Sequence, residues 1–98
     1  MAIHFDKGDK PRLTATFEDA DGTDADPTNV FFTFIDPSGN STTYTFGVDA
    51  ELVNSAVGIY YVDVDCDEVG VFRWRWYSTG TGQAAEEGWF VVEPTELG

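Results

Sequence analysis

The sequence predicts an all-β fold: a sandwich of about seven antiparallel strands, in one domain over residues 1–98, with no internal disulfide. Three observations carry this. Apolar and polar residues alternate with period two in several short runs, the pattern of half-buried strands. Clusters of Gly, Pro, Asp and Asn separate these runs and supply the backbone angles that turns need. No segment of useful length repeats its apolar residues with helical period.

The first strand is "RLTATFE", where Leu13, Ala15 and Phe17 alternate with Arg12, Thr14 and Thr16. "NVFFTFID" follows. Val30, Phe32 and Phe34 share one face, and Phe31, Thr33 and Ile35 the other, so this strand is expected to be central or covered. "DPSGN" forms a turn and "STTYTFG" the return strand, making Val30–Phe46 a hairpin. "VDAELVNSAVG" is ambiguous between a strand near Glu51–Val53 and a short helical turn. In "IYYVDVD", Tyr60, Val62 and Val64 point inward and Asp63 and Asp65 outward.

In "VFRWRWYS", Arg73 and Arg75 must face water, which turns Phe72, Trp74 and Trp76 to the core. "EGWFVVEP" closes the set, with Phe90 and Val92 inward, Trp89 and Val91 outward, and Pro94 ending the strand. This many short strands in about a hundred residues is the expectation for an immunoglobulin-like sandwich. "GIY" and "GVF" both place glycine two residues before an aromatic at the start of a strand. In "EVGVFRW", Phe72 stands where a tyrosine corner has its tyrosine, and Trp74 where the second cysteine would be. Phe72 has no hydroxyl, so that corner's hydrogen bond cannot form.

Charge narrows the partners. The formal net charge is −13, from 18 acidic and 5 basic residues. Phosphate backbones need a basic face, so no nucleic-acid partner is expected. Anionic membrane surfaces are repelled as well, and no stretch is long enough to span a bilayer. The N-terminus "MAIHFDKGDK" lacks the pattern of a signal peptide. Cys66 is the single cysteine. Its carboxylate neighbours raise a thiol pKa and make a nucleophilic role unexpected.

No catalytic constellation is legible. His4 is the lone histidine, and Glu86 and Glu87 are adjacent in a loop, not placed across a cleft. "YSTGTGQAAEEG" lacks the lysine of a phosphate loop and reads as the connection between the last two strands. "FEDADGTDADPTN" clusters carboxylates around Gly22. Two readings stand: a solvated acidic turn, or a weak calcium site with Asp19, Asp21, Asp24 and Asp26 as ligands. No other cofactor is expected. Arg73, Arg75, Tyr77 and Trp89 form the candidate protein-contact set. With these strand phases the arginines lie beside an exposed indole, either as an intrachain stack or as a contact patch of interface-like composition.

Four stretches, "FDKGDKPRLTATFEDADGT", "VFFTFIDPSGNSTTYTFG", "NSAVGIYYVDVD" and "GVFRWRWYSTGTGQAAEEGWFVV", cover most of the chain. Together they resemble a family of small proteins encoded among the structural genes of tailed bacteriophages. The resemblance implies a non-enzymatic, immunoglobulin-like accessory protein of the virion, made in the host cytoplasm. It would sit on the head surface as decoration, or at the neck or tail. The implied partners are other phage structural proteins, such as the capsid or a tail or neck protein, and further copies of the chain. The resemblance carries over no site residues. The alternative is an adhesion module that binds glycan weakly, with aromatics such as Trp89 stacking on sugars and calcium in the acidic loop.

Overall fold

The computed structural model describes residues 3–80 and 85–94. Its strands are β1 (Ile3–Asp6), β2 (Arg12–Thr16), β3 (Asn29–Ile35), β4 (Ser41–Thr45), β5 (Leu52–Ala56), β6 (Ile59–Asp63), β7 (Gly70–Thr79) and β8 (Ala85–Glu93). They form a five-stranded sheet, β1-β8-β7-β3-β4, and a three-stranded sheet, β2-β6-β5. The protein is all-β, and no helix occurs among the described residues.

Two expectations are corrected. Eight strands are present where about seven were expected, because the N-terminal "IHFD" forms β1. The strands are also not all antiparallel. β1 runs parallel to β8, with Ile3 opposite Phe90 and Asp6 opposite Glu93. The parallel pair arises because β1 joins the sheet opposite the one that takes β2. The ambiguous segment resolves as a strand: Leu52–Ala56 pairs with β6 through a register shift between Asn54 and Ala56.

The strand phases read from alternation hold. Ala15, Phe17, Tyr60, Val62 and Val64 are buried from the three-stranded sheet; Val30, Phe32, Phe72, Trp76, Phe90 and Val92 are buried from the five-stranded sheet. Trp74 and Phe34 point the same way and are partly buried against this core. β3 is an interior strand between β7 and β4; its outer face stays partly open, with Phe31 and Thr33 half-buried and Ile35 exposed. Phe72 and Phe90, opposite each other in register, stack at 5.0 Å with 9° between their planes. The Trp76 ring meets Phe32 at 4.7 Å.

Trp74 depends on one glycine. Gly88 is its partner in the β7–β8 register, and a Cβ there would lie 2.6 Å from Cζ2 of the indole. The bare backbone of β8 is thus the seat of the indole. The stretch read as the connection of β7 to β8 is corrected in extent: Tyr77–Thr79 belong to β7, and Ala85–Gly88, with Glu86 and Glu87, to β8, with Tyr77 opposite Ala85. Its residues 81–84 lie outside the described residues.

Candidate contact face

Register puts the candidate contact residues on one surface. Side chains alternate across a strand, so the outward residues of the five-stranded sheet fall in rows. One row is Thr43, Thr33, Arg75 and Glu87, and the next is Ser41, Ile35, Arg73 and Trp89. Phe31, Tyr77 and Ala85 extend the face towards the glycine-rich end, and Val71 and Val91 extend it the other way. Arg73, Arg75, Tyr77 and Trp89 therefore lie together, as their strand phases predict.

The face is apolar between its charges. Trp89 is 48% exposed, Val71 41% and Ile35 40%. Tyr77 is half-buried because its ring stacks on Phe31, with centroids 4.9 Å apart. A shallow depression of about 380 Å3 lies among Thr33, Ile35, Arg73, Arg75, Tyr77 and Glu87, with Trp74 at its wall.

The expected arginine–indole stack is not formed. Arg75 instead lies over Tyr77, with Cζ 5.2 Å from the ring centroid. Geometry accounts for this: Tyr77 is two residues along the same strand face, whereas Trp89 is only diagonal to Arg75. Arg73 stands directly opposite Trp89 in register, yet makes no ring contact among the described residues.

Two other basic residues are engaged within the chain. Arg12 meets Asp63 at 2.9 Å and lies 3.8 Å from the Tyr61 ring centroid, and Lys10 reaches Asp65 at 3.8 Å. Arg12 holds the Asp63 carboxyl below the usual carboxylate range, chiefly through their hydrogen bond. Arg73 and Arg75 form no ion pair among the described residues, although Glu87 is the register partner of Arg75.

Two carboxylates of the acidic loop, Asp19 and Asp26, accept hydrogen bonds from the backbone. Asp19 Oδ1 accepts from the backbone N–H groups of Asp21 at 2.9 Å and Thr23 at 3.1 Å. Gly22 closes that turn at φ 81°. Asp26 stays exposed, but its Oδ1 accepts from Gly58 N–H at 2.7 Å and from the Tyr60 hydroxyl at 3.2 Å. Asp21 and Asp24 are exposed. Among the described residues no three His, Cys, Asp or Glu side chains are grouped to hold a metal ion.

The loop is instead part of the scaffold. Phe17 donates to Gly58 O at 2.7 Å and Ala25 donates to Phe17 O at 3.0 Å, so the loop folds against the β5–β6 turn. Burial, then the Asp26 hydrogen bond, pushes the Tyr60 hydroxyl up to about 12. Sequence placed Asp26 only among the candidate calcium ligands, because one aspartate among several in a loop carries no local signal of bonding to a distant turn.

Cys66 is buried in the core, and burial, followed by the charges of Asp9, Asp65 and Asp67, pushes its thiol up to about 11. His4 pairs with Glu93 across β1 and β8 at 3.0 Å, away from any nucleophile. No helix among the described residues is long and apolar enough to cross a membrane. Comparison with models of known protein families and with curated proteins gives no match.

Proposed function

We propose that this chain is a non-enzymatic, immunoglobulin-like docking domain, an accessory structural protein of a tailed-bacteriophage particle. It docks by protein–protein contact through the outer face of its five-stranded sheet. The observation that carries the reading is that face: an exposed indole, two arginines without ion pairs among the described residues, and aliphatic side chains, on a chain of net charge −13. Tryptophan, tyrosine and arginine are the residues on which interface binding energy concentrates.

The strand arrangement supports the immunoglobulin-like part. A three-stranded sheet packs on a sheet holding the last two strands, the central hairpin and a first strand parallel to the last. That is the layout of a sandwich with an added strand on its larger sheet. The phage assignment rests on the sequence resemblance. Acidity fits an external position, because packaged DNA repels such a domain. The chain would leave the host cytoplasm with the particle, on the head surface or at the neck or tail.

The test is incorporation into particles, measured by quantitative mass spectrometry of purified virions. Replacing Arg75 and Trp89 together with alanine should abolish incorporation while leaving the circular dichroism spectrum and melting temperature near those of the parent. Normal incorporation of that double variant overturns the docking face. Absence of the parent chain from particles overturns the virion assignment.

A further inference from the structure

The outer face is complementary to itself, and we infer that its occupant is a second copy of the same chain, related by a two-fold axis running between β7 and β8 along the strands. The inference rests on this face being the docking surface, and it names the partner.

The argument comes from register. On the outer face, β7 and β8 oppose Val71 to Val91, Arg73 to Trp89, Arg75 to Glu87 and Tyr77 to Ala85. A two-fold axis between the strands exchanges the two columns. It therefore sets each residue of one copy over its register partner in the other. Arg75 meets the Glu87 position of the mate, and Glu87 meets the mate's Arg75. Arg73 comes over the indole face of the mate's Trp89, and valine meets valine. Every pairing is favourable, and every one occurs twice, which is the condition for an isologous interface.

Charge selects this face over others. A chain of net charge −13 repels a second copy across an ordinary stretch of its surface. Here two arginines face one glutamate across the central rows, and none of the three is committed to an ion pair within the chain among the described residues. Arg12 and Lys10, by contrast, already meet Asp63 and Asp65. About this axis four strands overlap, β1, β8, β7 and β3, while β4 overhangs; at about 4.8 Å spacing, crossed by four rows, they give roughly 400 Å2 per copy. That is below the size of a stable interface, so the dimer should be weak and dissociate at high micromolar concentration.

Charge reversal tests the pairing. Sedimentation velocity on the parent protein over about 1 µM to 1 mM should show a monomer–dimer equilibrium that weakens with salt. Arg75→Glu alone sets glutamate against glutamate, and Glu87→Arg alone sets arginine against arginine; each should weaken self-association at least about tenfold. An equimolar mixture of the two single variants restores opposite charges at both contacts and should form a heterodimer of near-parental affinity.

Trp89→Ser, which removes the indole without touching the charges, should weaken association as well and serves if a charge variant does not fold. A parent protein that stays monomeric at 1 mM overturns the inference. So does a dimer that persists in both single variants, or a mixture that fails to associate. These outcomes are separate from the particle test: a monomer whose Arg75 and Trp89 variant is lost from particles leaves the docking face standing with a different partner. A clean dimer that is incorporated regardless of those residues overturns the docking role instead.

Discussion

Tyr60 donates its hydroxyl to Oδ1 of Asp26 at 3.2 Å, and the same oxygen accepts the backbone N–H of Gly58 at 2.7 Å. One carboxylate thereby ties the loop before β3 to the β5–β6 turn and to a core residue of β6. Removing it strands two donors, whereas removing the hydroxyl strands none. Asp26→Ala should therefore destabilise the fold by about 2 kcal/mol and Tyr60→Phe by about 1 kcal/mol. Urea denaturation with matched m-values would check the order; equal losses would show that the backbone contact contributes little.

The same hydroxyl gives the fold an alkaline dependence. Its folded-state pKa lies above the ordinary value of 10.0, at about 12. The neutral form is thus favoured by folding, so the contribution is fully present below pH 10 and is lost as the pH rises through about 12. Melting temperatures measured from pH 8 to 12 should fall more steeply for the parent than for Tyr60→Phe. Parallel slopes would remove Tyr60 as the cause.

Two glycines with similar backbone angles should respond differently to alanine. Gly22 has φ 81° and Gly58 φ 75°. A Cβ at Gly22 meets open space, whereas at Gly58 it would lie 2.6 Å from Phe17 O and 2.9 Å from Ala25 N. Gly22→Ala pays only for the left-handed conformation, about 1 kcal/mol. Gly58→Ala adds a clash with backbone that cannot give way, and should cost about 3 kcal/mol. Thermal melts of both variants decide this.

Cys66 should be inert in the folded protein. Its thiol pKa rises from 9.0 to about 11, which lowers the thiolate fraction roughly a hundredfold, and burial closes the approach. Ellman's reagent should react with the native chain only at the rate of opening, and at once in denaturant. Rapid native labelling would show that the β6–β7 connection opens readily.

Much of the fold was legible in the sequence because alternation states which residues face inward. Phe72 and Trp76 followed once Arg73 and Arg75 were assigned to water, and the doubly apolar β3 announced an interior strand. Other features have no local signature. Pairing β1 with β8 joins residues nearly a chain length apart, and nothing in "IHFD" specifies a parallel neighbour. Gly88 reads as a loop residue until Trp74 is seen lying across it. That Arg73, Arg75, Tyr77 and Trp89 share one face was legible because it depends only on strand phase. The ring that Arg75 covers depends on a diagonal distance that phase does not contain.

The parallel pairing of β1 with β8 also determines how the domain bears load. Tension applied to the two ends of the folded unit pulls the beginning of β1 one way and the end of β8 the other. Because these strands run in the same direction, the pull slides them along their shared axis and does not peel them apart. The four register pairs from Ile3–Phe90 to Asp6–Glu93 must then yield together, not one after another. An antiparallel neighbour at that edge would unzip from one end, whereas this arrangement places a shear-resistant clasp where the chain enters and leaves the sandwich.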